Sequence, residues 1–208
     1  MSYGYLGDTS TKIKQVKKND GILTPSDVLD LQSKGHLGGS LEHIQTQTAS
    51  GDSSIDFTSI KESEYDVHYM QVYNVTYGSG NPTISIRFRE SGTWETSSVY
   101  QKSMKYGYSG GGFGGEDSTS SSSISTSSNI AYNSANAHMY FYNLGNSGLY
   151  SYVTFQHVSG YSSTQTAITR FGGGCLPQTS TVDGIRIFVS TTFDGSFKLY
   201  GIKQIWVI

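Results

Sequence analysis

Alternating apolar and polar positions are clearest near the C-terminal end of the chain. Within residues 184–190, isoleucine and valine occupy every second position, the period of two with which a strand buries one face. Asp194-Gly195 separates this run from a second one, residues 196–202, and an Asp-Gly pair tolerates the positive backbone angles of tight hairpin turns. The pattern therefore predicts an antiparallel hairpin. Residues 205–208 are apolar as well, which predicts that they are held in the sheet.

Six further runs with strand character precede this pair: residues 65–75, 84–89, 99–106, 137–144, 150–158 and 164–171. Glycine, proline, asparagine and serine, the residues that favour turns, lie between them. No helical pattern of about ten residues separates any two of them. About eight strands at short spacing predict an all-β fold, an antiparallel two-sheet sandwich that is jelly-roll-like.

Residues 107–129, GYSGGGFGGEDSTSSSSISTSSN, are rich in glycine and serine and have almost no apolar side chains. Ordering such a segment costs backbone entropy that little burial offsets, so we predict a mobile loop. Its GGGFGG portion lacks the lysine of a phosphate-binding loop and opens no periodic helix, which argues against nucleotide binding.

Residues 1–48 have clustered lysines and few apolar residues, and we predict an arm that cannot fold alone. Thr24 and Pro25 are typical of a helix start and Gly35 of a helix end, which predicts one short helix between them. The apolar residues of the arm need a partner to bury them, so they are the predicted anchoring residues: Tyr3, Tyr5, Leu6, Val28, Leu29 and Leu31. The predicted organisation is an arm with a short helix, 1–48, and a β-sandwich, 50–208, that folds without the arm.

Composition limits the classes of partner. Charged residues make up 14% of the 208 residues and the net charge is −2, so the chain lacks the basic field with which proteins bind nucleic acid or anionic membranes. No run approaches the roughly 18 apolar residues that a membrane helix needs, so we predict no membrane insertion. Cys175 is the only cysteine, which excludes an internal disulfide and a zinc site built from cysteines of one chain.

Catalytic and metal-binding patterns are absent from the sequence. It contains no GxSxG motif for a serine nucleophile, and its five histidines never form HxH or HExxH. Glu62, Glu64 and Asp66 cluster as glycoside hydrolysis would require, but they lie beside Lys61 as in a solvated charge run. No acidic spacing fits a calcium loop. We therefore predict a protein that is not an enzyme and has no metal site and no cofactor.

Aromatic residues on or next to predicted loops indicate a binding role instead. Flat rings can stack on sugars through CH–π contacts, which require no charge. The predicted glycan-binding residues are Trp94, Tyr100, Tyr106, Tyr108 and Phe113. Aromatic residues in a subunit interface or in the core would give the same pattern, and both alternatives stay open.

Three segments of the chain resemble the β-sandwich modules of tailed-phage virion proteins, fibres and appendages among them: FTSIKESEYDVHYMQV (57–72), FGGGCL (171–176) and GIRIFVSTTFDGSFKLYGI (184–202). These modules share a phrase of the FTSIP type before the first long strand and an ending of the FSLYGI type. The opening, MSYGYLGDTSTKIKQ (1–15), is similar to the starts of marine-phage structural proteins. Two features depart from the modules: Lys61-Glu62-Ser63 replaces their usual proline-centred turn, and no long shaft is present.

The resemblance implies a virion structural protein that is not an enzyme: a head or tail appendage, or a fibre subunit. The arm would dock on other virion proteins, and the β-sandwich would face outward for attachment to the host surface, where a glycan is the expected partner. We further expect a homotrimer. The alternative is a monomeric carbohydrate-binding module that binds glycans through surface aromatic residues, and the mass of the protein in solution distinguishes the two.

Overall fold

The computed structural model describes residues 25, 26, 29, 41–77, 82–126, 132–160 and 166–203. Of these residues, 71% lie in strands. The strands are β1 Leu41–Phe57, β2 Val67–Tyr77, β3 Ser85–Glu90, β4 Thr93–Trp94, β5 Tyr100–Tyr108, β6 Phe113–Ser121, β7 Ile124–Ser125, β8 Tyr132–Tyr142, β9 Ser151–Gly160, β10 Ala167–Leu176 and β11 Val182–Ile202. The chain divides into two compact units, residues 1–39 and 40–208.

All strands of the described part belong to one antiparallel sheet. Its order is β4-β3-β11-β2-β8-β9-β10-β5-β6, with β1 paired to β11 and β7 paired to β3. The sheet curls into a half-barrel, because neighbouring strands twist and bulges bend them further. The predicted all-β, antiparallel fold is confirmed. The division into two stacked sheets is not confirmed.

Only three residues of the predicted helix are described: Pro25, Ser26 and Leu29. Their backbone is helical, but the residues between and around them lie outside the described part of the chain. The helix between Thr24 and Gly35 therefore stays a prediction, as does the pairing of residues 205–208, which also lie outside it. Within the described residues, no helix is long and apolar enough to span a membrane.

Strand β11 is the centre of the sheet and runs on for 21 residues, so the predicted hairpin at Asp194-Gly195 is wrong. Along one side it pairs with β1, from Ile185 to Ile202. Along the other side it pairs first with β3 and then with β2. Because both sides are occupied, the two halves of β11 cannot fold back on each other. Asp194-Gly195 lies at a bulge against β2, where a Cβ on Gly195 would lie 2.9 Å from the Val75 side chain.

Strand β1 corrects the predicted domain boundary. It begins at Leu41, so residues 41–48 belong to the sheet and not to the arm. Its sequence shows little apolar alternation, and most of its side chains are exposed or half-buried. The strand forms because one edge of β11 provides backbone hydrogen-bond donors and acceptors along the length of β1. Three register shifts interrupt this pairing, and such bulges discourage further pairing at the edge of a sheet.

The glycine- and serine-rich segment also forms strands. Residues 113–121 form β6 against β5, and the next strand, β7, pairs with β3. The predicted mobile loop is therefore wrong for this part of the segment, and residues 127–129 lie outside the described part. At Gly114 a Cβ would lie 2.3 Å from the Tyr106 ring, so glycine allows that ring to lie against β6. Backbone pairing with β5 orders the segment, and the fully buried Ile124 anchors its end.

The core lies inside the curl, where the two ends of the sheet face each other. The ring of Phe88 on β3 contacts Tyr100 on β5 and Phe141 on β8, with centroid distances of 6.2 Å in both cases. The backbone N–H of Phe88 also donates to the Tyr100 hydroxyl at 2.9 Å. Gly174 on β10 makes room for β7 inside the curl, since a Cβ there would lie 2.9 Å from Ile124. Because β3 and β5 are far apart in the strand order, these contacts depend on the curl.

Candidate binding face

The outer face of the sheet, opposite the core, is polar and aromatic. Side chains alternate along a strand, so the residues between the core positions of β11, β2, β8 and β9 all point to this side. On β9 the alternation is strict: Val153 and Phe155 are buried, and Tyr152 and Thr154 are exposed. The register then aligns such outward positions into rows that run across the strands.

One of these rows consists of aromatic rings. Pairing places Tyr200 of β11 opposite Tyr69 of β2, and Tyr69 opposite Tyr140 of β8. The centroid distances are 6.1 Å for the first pair and 5.0 Å for the second. His43 of β1 contacts Tyr200 at 5.5 Å, and His138 contacts Tyr140 at 6.1 Å. We call His43, Tyr200, Tyr69 and Tyr140 the aromatic row, and His138 contacts it from the neighbouring row. Each aromatic contact is worth about 0.5–1.5 kcal/mol beyond its buried area, so the row is held in place.

An open groove of about 520 Å³ lies beside the aromatic row and extends from β2 to β10. The next cross-strand row, Gln71, His138 and Gln156, runs along it. The outward side chains that line the groove in the described part are Tyr69, Gln71, Tyr73, Asn136, His138, Gln156, Val158 and Thr169. The groove is therefore built from four neighbouring strands.

Bulges in two neighbouring strands open the ladder at the groove. Between Val72 and Val75, β2 has one residue more than β8 has opposite it. Asn74 in this bulge has a left-handed φ of +49°, which asparagine tolerates better than most residues. Its backbone N–H donates to Asn136 Oδ1 at 3.0 Å. A second register shift separates Tyr132 and Asn136 on β8. Bulges bend strands and re-aim side chains, and both of these register shifts border residues that line the groove.

Uncharged polar groups dominate the groove. The Tyr73 hydroxyl donates to Gln71 Oε1, which leaves the amide nitrogen of Gln71 as a donor. Among the described lining residues there is no aspartate, glutamate, lysine or arginine. The ammonium of Lys198, on the neighbouring strand, lies 5.4 Å from the Tyr73 ring centroid and helps to fix that ring.

Exposed apolar side chains also concentrate on the outer face. Phe171 is 56% exposed and Val158 is 48% exposed, although both lie inside strands. The exposed large apolar residues of this face are Tyr73, Phe113, Tyr152, Val158 and Phe171. Apolar exposure that concentrates on one face marks a surface for interaction.

The predicted glycan-binding residues do not form one site. Tyr100 is fully buried and its hydroxyl donates to the Glu95 carbonyl at 3.2 Å, so its ring cannot stack on a ligand at the surface. Tyr106 and Tyr108 of β5 are half-buried, with ring centroids 5.5 Å apart. Phe113 is 92% exposed on β6. Of these four aromatic residues, only Phe113 lies on the outer face.

Trp94 of β4, the fifth predicted residue, lies in a cluster of arginines and carboxylates. The guanidinium of Arg186 on β11 is 4.3 Å from the Trp94 ring centroid, and that of Arg89 on β3 is 5.8 Å away. Arg186 also donates from Nε and Nη2 to the two carboxylate oxygens of Asp56 on β1, both at 2.7 Å. Asp183 accepts from Arg89 Nε at 2.7 Å. These contacts tie β1, β3, β4 and β11 together, so Trp94 has a structural role.

Replacing Arg186 with methionine is expected to lower the free energy of unfolding by about 1–2 kcal/mol, because a bidentate ion pair and a cation–π contact are lost together. Guanidinium titration followed by circular dichroism measures this loss. Lys198→Met is the matched control on the same strand, since Lys198 is also half-buried but makes a cation–π contact without a bidentate ion pair, and we expect a change within about 0.5 kcal/mol. Equal losses in the two variants would contradict the proposed tie.

Sequence reasoning that favours aromatic residues near loops misses the tyrosines of the aromatic row and of the groove. Tyr69, Tyr73 and Tyr140 lie inside strands, at positions where a buried residue is an equally good reading. The signal that finds Tyr69 and Tyr73 is the contrast within β2, where Met70 and Val72 make one side apolar and so assign the two tyrosines to the outside.

Of the predicted anchoring residues, only Leu29 is described, and it is 66% exposed. The others lie outside the described residues: Tyr3, Tyr5, Leu6, Val28 and Leu31. An exposed leucine is compatible with burial by a partner, and the anchoring role stays a prediction.

A buried histidine lies below the groove, beside a buried arginine. His157 of β9 pairs with Arg170 of β10, and each is 1% exposed. Neither ring nitrogen of His157 makes a hydrogen bond within the described part of the chain. Burial, together with the positive charge of Arg170, lowers the pKa of His157 to about 3. Burial also lowers the pKa of His68, whose Nε2 donates to the Ile60 carbonyl at 2.8 Å.

Clusters of three or more histidine, cysteine, aspartate or glutamate side chains that could hold a metal ion do not occur among the described residues. Comparison of the chain with protein-family models, with curated proteins and with solved structures finds no match. The outer face and the sequence are therefore the features that bear on function.

Proposed function

We propose that the chain is a structural subunit of a tailed-phage virion and not an enzyme. In this proposal, residues 1–39 attach the subunit to other virion proteins, and the β domain, residues 40–208, projects outward and contacts the host surface. The outer face supports the proposal, because a domain with its own core exposes aromatic and apolar side chains together on one side of its sheet.

The β domain fits display by an arm. It is a compact unit with its own buried core, so it can be displayed on a particle through a separate attachment segment. The jelly-roll-like relation is part of the proposal. In this proposal, the two ends of the curled sheet, which meet where Phe88 contacts Tyr100, would be the two layers of such a sandwich.

The sequence resemblance supplies the phage context. Phe57 and Ile60 of the first matched phrase are fully buried, and residues 197–202 of the last phrase end β11. The matched positions thus have roles in the core, which supports a shared fold. In keeping with such subunits, we propose assembly as a homotrimer. A stable monomer in light scattering would favour the monomeric carbohydrate-binding module instead.

Detection of the chain in purified particles tests the virion role. An antibody against residues 40–208 is expected to label particles isolated by density gradient, and the chain is expected to sediment with them. Deleting residues 1–39 is expected to leave a folded domain, as judged by circular dichroism, that is missing from the particles. A full-length chain that remains with the soluble proteins of the lysate would overturn the proposal.

Point variants separate anchoring from folding. Leu29→Ser is expected to reduce incorporation severalfold, because a partner that buries Leu29 gains less from serine. Leu149→Ser is the matched control, since Leu149 is a leucine of the β domain that is 49% exposed. Equal incorporation of the two variants would remove Leu29 from the anchoring set.

A further inference from the structure

We propose that the groove on the outer face binds one neutral pyranose ring of a glycan. Tyr73 provides the stacking surface, and the side-chain amides of Gln71, Asn136 and Gln156 bind the sugar hydroxyls. The inference rests on the host-facing role proposed above and names the class of ligand that the domain meets there. The charge, the hydrogen-bonding groups, the aromatic rings and the size of the groove each support it.

The charge of the groove matches an uncharged ligand. Its described lining contains no carboxylate, lysine or arginine, and Lys198 beside it already lies 5.4 Å from the Tyr73 ring centroid, so a neutral ligand leaves no charge of its own unpaired there. The polar side chains that line it are amides, an imidazole and hydroxyls. All three types can both donate and accept hydrogen bonds, as the hydroxyls of a sugar do.

Neighbouring groups already orient two of the amides. Gln71 Oε1 accepts from the Tyr73 hydroxyl, and Asn136 Oδ1 accepts from the Asn74 backbone N–H at 3.0 Å. The amide nitrogens of Gln71 and Asn136 are therefore the groups left to donate to a ligand. Gln156 is exposed between them and Thr169, and it adds both a donor and an acceptor.

The rings of Tyr69 and Tyr73 are already held in place, so stacking a sugar on them would cost little side-chain entropy. Tyr69 and Tyr73 lie on the same side of β2, about 13 Å apart along the strand, with Gln71 between them. Tyr69 is fixed by Tyr140 and Tyr200 of the aromatic row. Tyr73 is the more accessible ring, at 37% exposed, and its hydroxyl is fixed by Gln71. A ring that is already ordered loses little freedom when a ligand binds.

The groove is large enough to admit a sugar ring, and its open shape predicts weak binding. Its volume of about 520 Å³ lies within the range of small-molecule sites, yet the groove is open along the surface. A ligand of this size in an open site is expected to bind with a Kd on the order of 1 mM. Display of several subunits on one particle would raise the avidity well above this value.

Titration of the full-length protein with monosaccharides tests the proposal. The probes are methyl β-D-glucopyranoside, methyl α-D-mannopyranoside, methyl β-D-galactopyranoside and N-acetylglucosamine, with sodium glucuronate as the charged comparison. At least one neutral sugar is expected to shift the side-chain amide resonances of Gln71 and Gln156, with glucuronate weaker. Tyr73→Ala is expected to weaken that binding about fivefold or more, and Gln156→Ala roughly threefold.

Tyr152→Ala is the matched control, because Tyr152 is 43% exposed on the outer face but does not line the groove. It is expected to leave the affinity unchanged, and thermal unfolding confirms that each variant is folded. The absence of binding by every neutral probe at about 50 mM overturns the proposal, as does unchanged affinity in Tyr73→Ala. A dimer that Tyr73→Ala dissociates would assign the groove to a second copy of the chain and would also overturn it.

The sugar titration tests the groove assignment and the particle assay tests the virion role, so either proposal can be overturned without the other. A chain that is found in particles but binds no neutral sugar keeps the virion role and loses the groove assignment. A chain that binds sugar but is missing from particles keeps the groove assignment and loses the virion role.

Discussion

A chain that begins at Gly51 is expected to be unfolded at room temperature, whereas one that begins at Ser40 is expected to keep the stability of the β domain. The part of β1 that precedes Gly51 pairs with β11 between Asp194 and Ile202. Its removal opens that side of β11 to water and takes away the buried Ala49. We expect a loss on the order of 5 kcal/mol, which is comparable with the whole stability of many domains.

Far-ultraviolet circular dichroism and guanidinium unfolding of both shortened chains measure this difference. The chain from Ser40 is the control, because it lacks the arm but keeps all of β1. Sequence alone predicts that a chain from about residue 50 folds, and the pairing of β1 with β11 reverses that prediction. Cooperative unfolding at an unchanged midpoint in the chain from Gly51 would show that this half of β1 adds nothing to stability.

Lowering the pH from 7 to 5 is expected to destabilise the protein by roughly 2 kcal/mol through His157 alone. Burial and the charge of Arg170 hold the pKa of His157 at about 3 in the folded protein, against an ordinary value of 6.5. Between these two values the unfolded chain takes up a proton that the folded chain does not. The contribution to stability is therefore complete above pH 6.5 and is lost progressively as the pH falls towards 3.

His157→Met isolates this effect, because methionine removes the titrating ring and leaves an apolar side chain of similar length. Its free energy of unfolding, measured by urea titration at several pH values, is expected to fall less steeply with acid than that of the unaltered chain. His68 titrates in the same direction and is present in both proteins, so the difference reports His157. His138→Met, on the outer face, is the control. Equal slopes for the unaltered chain and His157→Met would contradict the prediction.

The strands that can be predicted from the sequence are those whose two sides differ in polarity. On β2, Met70 and Val72 face the core while Tyr69 and Gln71 face outward, so the pattern is visible. Strands β1 and β6 lack this contrast, since β6 is mostly glycine, serine and acidic residues. Backbone hydrogen bonds to β11 and β5 hold them in the sheet. Alternating apolar and polar residues indicate which side chains are buried, whereas backbone pairing does not require particular side chains and so cannot be seen in the sequence.

The groove depends on register, which the sequence does not reveal. Gln71, His138 and Gln156 are distant in the chain and become neighbours only because β2 pairs with β8 and β8 with β9. Tyr100 shows the opposite case. It lies just after a short turn and before two polar residues, Gln101 and Lys102, as a surface aromatic would, yet the curl of the sheet places it against Phe88. Both outcomes depend on contacts between distant strands.

Strand β11 follows β1, β2 and β3 in the sequence, and this order delays their pairing while the chain is being synthesised on the ribosome. Strands β1, β2 and β3 leave the ribosome well before β11, with which all three pair. The middle of the sheet therefore cannot form until residue 202 has been translated. During that interval β8, β9, β10 and β5 can pair with one another. Distant pairings of this kind are slow to form and leave apolar strands open to aggregation. We therefore expect newly made chains to be most prone to aggregation until β11 is complete.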